Sequence, residues 1–581
     1  MNPALLPLAV ALPITGAVAA PLLSRLSSRA SLIASLIALV GPAALLATFA
    51  PAVYGGRLSG HALGNVGPVR GAELGITFTA EPFGLTFALL TATIGSVLLL
   101  YSLSELGGLA SHEAGWYACL TQLLLAAMIG TALTADLLNL FVWFEVAALA
   151  SYGLAGFFLE RPWALEATFK MMILTNLAGF CVFVAVALLY SGHGALNLGQ
   201  LERSLSGGVR TADVVALGLL LTGFGTKAGL MPFHGWLADA HTAAPGPISA
   251  LFSGLMVNLG VVAIARLTLD VYTAGRTVLP AILMVLGAAS AILGAALALA
   301  QDDLKRLLAY DTISQVGVLL TAVGAGTMRA VTGLVYHLVD HALFKALLFL
   351  CAGAIVHATG MTRLSQMGGL ARHRPIVTGA FLVATASIAG VPPLNGYASL
   401  GLIHDSLRAE HPVAFGAVLV AQGLTVAALG RAAYLAFFRR RDDDYDPLER
   451  MRPGMLIAFG TLALGCIAFG VLPNLVVSHI AAPAAAVLLD PNAYATIALA
   501  GSTRLTLTVQ SFDYFAPDEL LISGACLVAG LLLAFWYVRR SKEPIVVTGL
   551  RRLHNGSVND YVAYSALGLI GCTFILLAWR R

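Results

Sequence analysis

Charge is what this sequence has least of: 11% of its 581 residues are Asp, Glu, Lys or Arg, against 59% hydrophobic. With a mean hydropathy of +0.87, that balance excludes an ordinary water-soluble domain. Lysine is scarcer still, with five residues (Lys170, Lys227, Lys305, Lys345 and Lys542) among 33 basic ones. Paired cysteine motifs are missing too. Cys119, Cys181, Cys351, Cys466, Cys526 and Cys572 stand singly in apolar runs, which argues against a disulfide framework or a thiolate metal site and reads as small hydrophobes. There is no glycine-rich phosphate loop, CxxC cluster or haem motif, so any electron chemistry must sit in partner subunits. The opening stretch, residues 1–23, has neither a basic n-region nor a convincing cleavage site and is read as a first span, not a removable signal.

What is present is a succession of apolar runs long enough to cross a bilayer. They fall near 3–23, 30–54, 81–104, 114–134, 136–159, 165–190, 212–230, 246–269, 278–300, 303–325, 329–357, 375–408, 413–437, 454–474, 516–538 and 560–579. The fold expected is an all-α integral membrane bundle of about 14 to 16 transmembrane helices. The stretch 475–515 is partly apolar, is interrupted by Pro491, ends in a strand-like TRLTLTV, and is expected outside the membrane. With the N-terminus outside, the inner loops hold 18 basic residues and the outer loops and ends 10, in line with the positive-inside tendency. The net charge of +4 therefore reflects loop bias and not a nucleic-acid surface.

Ionisable groups inside these runs are the informative minority, because intramembrane charges are costly and mark ion pathways by default. An arginine cannot release its proton in a protein, whereas a desolvated lysine can. Glu145 lies roughly nine residues into its run, about 14 Å deep, and Lys227 at the end of GLLLTGFGTKAGLMPF is its expected partner. At an effective dielectric near 20, a pair about 4 Å apart interacts by roughly 4 kcal/mol. His337, His341 and Lys345 recur at i, i+4 and i+8 and share one helix face, the spacing of a proton relay. A metal reading of the two histidines lacks a third ligand and the HExxH glutamate.

Two runs are interrupted alike, the seventh at Pro232 in LMPFHGW and the twelfth at GVPPLNGY around Pro392 and Pro393. Such breaks in corresponding places suggest two inverted five-helix repeats with the site at the breaks. The organisation expected is 1–110 for helices 1–3, 111–270 for the first repeat, 271–440 for the second, and 441–581 for the C-terminal helices with the extramembrane segment.

At these residues the chain resembles the antiporter-like subunits shared by respiratory complex I, group 4 membrane-bound hydrogenases and Mrp-type cation/proton antiporters. The stretches that carry the resemblance are LFVWFEVAALASYGL, GTKAGLMPFHGWLADAHTAAPGPISALFSG, DDLKRLLAYDTISQVG, HLVDHALFKALLFL and SIAGVPPLNGY, spanning about residues 115–405. The resemblance implies that Glu145 and Lys227 control proton uptake, and that His337 and His341 match the central relay, with Lys345 and Lys305 as further members of the polar axis. Lys170, Asp311, His404 and Asp405 stand as exit or auxiliary groups. Two departures matter: Asn258 and Leu400 stand where many relatives carry a proton-binding side chain, and neither can act as acid or base. His404 and Asp405, one turn beyond Leu400, are the candidates to replace the second. The sequence thus reads as a proton-translocating subunit of a complex I-like or hydrogenase-like respiratory complex in a bacterial inner membrane, with no cofactor of its own. Quinone, flavin, iron–sulfur or nickel–iron centres would belong to partner membrane complexes. The alternatives are an Mrp-type subunit exchanging sodium for protons, a proton-driven energising subunit for an inorganic-carbon uptake partner, and a structural subunit with a disabled channel.

Overall fold

The computed structural model describes residues 2–581 apart from 65–74, 107, 159, 274–277, 442–444, 446–448, 506–510, 541–548, 550–553, 555 and 580–581. Lys542, Arg551 and Arg552, counted above among the inner loops, lie outside the described residues. The chain is a helical bundle. Its first crossings are α1 (Leu8–Ser24), α2 (Ser28–Val53), α3 (Pro82–Glu105), α4 (Ser111–Leu133), α5 (Leu137–Ala155) and α6 (Pro162–His193). A short amphipathic α7 (Leu198–Ser206) leads into α8 (Thr211–Ala228), α9 (Leu237–Ala243), α10 (Gly246–Leu251) and α11 (Val257–Arg266). The last two join through a π-turn into one span, Gly246–Val271. There follow α12 (Leu279–Leu299), α13 (Leu304–Ala325), α14 (Met328–Thr359), α15 (Leu370–His373), α16 (Pro375–Ile388), α17 (Asn395–Glu410), α18 (Pro412–Ala433) and α19 (Pro453–Val471). The chain continues through α20 (Pro473–Val476), α21 (Ala482–Leu488), α22 (Pro491–Ala498), α23 (Pro517–Arg539) and α24 (Val558–Trp579).

Fourteen of these helices are long and apolar enough to cross a membrane. The bent pair Pro473–Leu488 with Pro491–Ala498 takes the count to 15 among the described residues if it forms one span, within the range expected from the sequence. α8 with its continuation and α16 with α17 are the interrupted runs. Helix starts follow local chemistry. The Asp136 carboxylate accepts from the Asn139 amide at 2.7 Å to begin α5, and the Glu81 carboxylate caps α3 ahead of Pro82.

The breaks fall where the sequence places them. α8 stops at Gly229, whose φ of 76° suits a residue without a Cβ, and α16 stops just before Gly390 at φ 74°. Both breaks contain a cis X-Pro bond, Met231–Pro232 and Pro392–Pro393. Backbone groups freed at a break must find partners away from lipid. Trp236 Nε1 donates to the Thr226 carbonyl at 2.6 Å, and the Met231 amide donates to Ser290 Oγ at 3.0 Å. In the second break Gln422 donates to the Ala389 carbonyl at 3.1 Å.

The stretch 475–515 is a helix pair bent by 86°, Pro473–Leu488 and Pro491–Ala498, followed by a short strand. Its inner face, including Val476, Val477, Ala484 and Leu488, is buried against α14 and α3. The strand β3 (Ser502–Arg504) is the edge of a three-stranded antiparallel sheet in the order β2-β1-β3, with β1 Arg57–Ala62 and β2 Thr77–Ala80. This sheet fixes sidedness. β1 follows α2 and β3 precedes α23, so both lie on one side, called here the far side. The clusters at Arg439–Arg441, Arg450 and Arg452 and at Arg539 and Arg540 then fall together on the opposite, basic side. Near the far side a buried knot holds the edge of the bundle: Arg266 bridges Glu81 at 2.5 Å and Asp270 at 2.9 Å and lies over the Tyr494 ring.

The C-terminal α24 lies against α8 and its break, with Gly568 facing Pro232 and Phe233. A Cβ at Gly568 would stand 2.5 Å from Pro232 Cγ, closer than packed atoms tolerate. Gly568→Leu should therefore push α24 off the break, at a cost of about 1–3 kcal/mol. Cys572, 5% exposed in the native fold, should then react several-fold faster with a membrane-permeant maleimide, as read by mass spectrometry of its peptide.

Candidate proton-conducting axis

The candidate groups fall into three clusters threaded through the bundle interior. The first is Glu145 and Lys227. Lys227 Nζ is fully buried without a hydrogen bond, and its nearest cation-binding surface is the Phe144 ring, 5.3 Å from nitrogen to centroid. Glu145 turns toward α6, into space left by Gly179, and its Oε1 is likewise buried and unpartnered. The direct contact expected near 4 Å does not form: among the described residues no ion pair joins the two. Phe144 and Glu145 are neighbours about 100° apart on one helix, so the ring takes the face toward Lys227 and the carboxylate the face toward α6. The ring that Lys227 approaches thus belongs to the residue next to Glu145 on α5.

The second cluster lies toward the basic side. Lys170 bridges Glu166 at 2.6 Å and Asp239 at 3.3 Å, and Asp239 also pairs with Arg306. These groups line a cavity of about 310 Å³ with Trp163, Thr242 and His554, so Lys170 stands at a mouth and not on the buried axis. His234, in the first break, meets His554 Nε2 to Nε2 at 2.8 Å, docking the C-terminal segment there. Lys305 donates to the Ala244 carbonyl at 2.8 Å and to Ser249 Oγ at 3.4 Å. It faces a separate cavity of about 670 Å³ shared with Glu105, Arg161, Asp303 and His357.

The third cluster is the histidine stripe of α14. Lys345 forms an ion pair with Asp311 in which neither side chain is exposed, and Asp311 also accepts from Thr425 at 3.0 Å. His341, one turn earlier, is fully buried with neither ring nitrogen hydrogen-bonded. His337 spans Ser399 and Gln315, 3.0 Å from each. His404 on α17 contacts Glu519 of α23 at 3.0 Å, while Asp405 turns outward to Arg329 and Arg408, 3.1 Å from each. Asn258 is buried, donating to the Gly254 carbonyl at 2.9 Å and leaving its own carbonyl oxygen unpaired. Leu400 lines a water-sized void of about 10 Å³ with Gln315 and Gln422. Among the described residues no three His, Cys, Asp or Glu side chains are grouped as a metal site would need.

Residues 134–425 match the family model described as NADH:quinone oxidoreductase/Mrp antiporter, transmembrane. The chain belongs to that family. It is 31% identical to a Na(+)/H(+) antiporter subunit of Bacillus subtilis over 73% of this chain and 85% of that protein. Against an NADH-quinone oxidoreductase subunit of Desulforudis audaxviator it is 30% identical over 81% of this chain and 97% of the relative. Its fold matches a chain of the membrane-bound sulfane sulfur reductase, an archaeal respiratory membrane complex, with a TM-score of 0.78 and 25% identity, covering 85% of this chain and 99% of that one. This antiporter-like chain is thus a multi-pass membrane protein whose relatives are subunits of multisubunit membrane complexes.

Sequence reasoning passes over four further polar side chains that the fold turns toward these clusters. Asp340 lies inside the HLVDHALFK run but one position off the i, i+4 stripe; it is fully buried, turned toward Ser399 and Asn395 without completing a hydrogen bond. His241, in a stretch read as a connection after the break, stacks on Phe349 at 4.7 Å with both ring nitrogens unpartnered. Glu105 and Glu519 sit at helix ends, where a carboxylate ordinarily marks an interface with water. Only the fold turns them inward.

The Lys345–Asp311 pair has a measurable signature. Removing one partner strands the other charge, at a cost of about 3–5 kcal/mol. Lys345→Met should lower the melting temperature of the purified protein in detergent, and Lys345→Met with Asp311→Leu should regain much of the loss.

Proposed function

We propose that this chain conducts protons across the membrane along the Glu145, Lys227, Lys305, Lys345, His341 and His337 axis, as a subunit of a complex I-like or hydrogenase-like respiratory complex. The observation that carries the reading is Lys227: a fully buried ammonium with no hydrogen bond. A buried charge left unpaired is expensive, and a purely structural lysine would be paired or replaced. Lysine can instead cycle between its charged and neutral forms as Glu145 and the surrounding water rearrange. Phe144, next to Glu145 on α5 and with its ring centroid 5.3 Å from Lys227 Nζ, lets small motions of α5 and α8 change their coupling without breaking a tight ion pair.

The two broken crossings support an organisation in two inverted halves, 111–270 and 271–440, each contributing half of the path. The basic side is read as the cytoplasmic face of a bacterial inner membrane, with the N-terminus outside. Redox chemistry belongs to partner subunits, where quinone, flavin, iron–sulfur or nickel–iron centres would supply the driving energy. Asn258, with an unpaired carbonyl oxygen, can hold a water but not carry a proton itself, so passage between the halves runs through water beside it.

A second reading, exchange of a cation for protons, is favoured by the Bacillus subtilis relative, whose name is that of a Na(+)/H(+) antiporter. Sodium-dependent proton flux in proteoliposomes separates it from redox-driven pumping. In the intact complex, Lys227→Ala and Glu145→Ala should each reduce proton translocation at least ten-fold while subunit composition stays native. Unchanged translocation in both would remove the transport reading and leave a structural subunit.

A further inference from the structure

We propose that Glu105 and Glu519, both outside the stretch matched to the family, are the terminal proton-exchanging carboxylates of a route from the basic-side cavity beside Lys305 to the far-side end of α23. This rests on the transport reading above and adds the two ends of the path.

The basic-side end begins in the cavity of about 670 Å³, where Glu105 and Lys305 face each other across the 244–246 segment. The Glu105 carboxylate oxygens approach the Gly246 position, and Lys305 donates to the Ala244 carbonyl. Glu105 Oε2 is buried without a hydrogen bond, although the side chain also borders a second basic-side cavity of about 290 Å³ lined by Arg374, Arg450 and Arg452. A carboxylate bordering two basic-side cavities, one of them shared with a buried lysine, is placed to take protons from solvent. Beyond Lys305 lies His241, fully buried with both ring nitrogens free. Ser249 Oγ, which Lys305 contacts, donates to the His241 carbonyl at 2.8 Å, and the ring stacks on Phe349, one turn from Lys345 on α14. Lys345 and Asp311 follow, then His341, then His337 between Gln315 and Ser399.

The far-side end continues through His404. Its Nε2 is buried and unpartnered, and its Nδ1 meets Glu519 Oε1 at 3.0 Å. His337 Nδ1 contacts Ser399 Oγ at 3.0 Å, and Ser399 lies on α17 five positions before His404. The Glu519 side chain is 7% exposed and also accepts from Ser523 at 3.3 Å. Just outside it, Arg408 pairs with Asp518 at 2.6 Å and with Asp405, and Asp405, Arg329 and Glu410 line an open cavity of about 560 Å³. An acid behind an arginine gate and in front of a histidine is the arrangement a release step requires. Each step hands one proton from a protonated group to the lone pair of the next, through a bridging water where the two are not in contact. At the end His404 accepts at Nε2 and donates from Nδ1 to Glu519, which releases to the far-side cavity. Leu400 breaks no link, because the path turns from His337 to His404 past Ser399.

The test uses the intact complex in proteoliposomes, driven by its own substrate, with protons translocated per turnover measured for Glu105→Gln, Glu519→Gln, Glu105→Asp, Glu519→Asp and Lys227→Ala. The expected result is at least a five-fold fall in both Gln variants, with native subunit composition, and substantial recovery in both Asp variants. Full translocation in either Gln variant, alongside a loss in Lys227→Ala, overturns the proposal and leaves the transport reading standing; full translocation in all five variants overturns both. Should Glu519→Gln fail to assemble, Glu105→Gln decides alone, since it lies at the opposite end of the bundle and cannot act through the α23 contact.

Discussion

The constraint on which this structure turns is the cost of holding charge in a hydrocarbon-thick bundle. A carboxylate or ammonium removed from water loses several kcal/mol of solvation even after relaxation, so each buried charge must be paired, hydrated or used. The Lys345–Asp311 pair answers by pairing, within a scaffold that also supplies Thr425. The Arg266 knot does the same near the far side, where its permanently charged guanidinium serves as a fastener and not a relay. Lys227, His341 and His241 have no such partner, so the candidate axis mixes unpaired nitrogens with the paired Lys345.

The same constraint explains the broken crossings. An unwound turn exposes carbonyls and amides that lipid cannot satisfy, and both breaks are therefore enclosed. Trp236 and Ser290 close the first, and Gln422 closes the second. α24 then covers the first break from outside, with Gly568 against Pro232. The candidate axis and the breaks share one requirement, polarity where the surroundings are apolar.

Much of this was legible from the order of residues. Apolar run length fixes the number of crossings because a span has a minimum length. The i, i+4, i+8 spacing puts His337, His341 and Lys345 on one face because helical periodicity is rigid. Gly and Pro mark the breaks because their backbone preferences are local. The Glu145–Lys227 contact was not legible in its actual form: sequence pairs the charges, but which face of α5 meets α8 depends on the helix's rotation, and Phe144 occupies that face. The strand-like TRLTLTV gave a fair hint of β3, while its partner β1, more than 400 positions away, could not be inferred from it.

The sequence by itself therefore determined the membrane class, the crossings, the breaks and the inventory of titratable groups, all set by local periodicity and transfer energetics. Tertiary structure decided which of those groups meet. Asp311 finds Lys345, His404 finds Glu519, and Glu105 faces Lys305 across residues far apart in the chain. Such contacts depend on helix rotation and neighbour choice, which many interchangeable apolar faces specify collectively and no single stretch encodes.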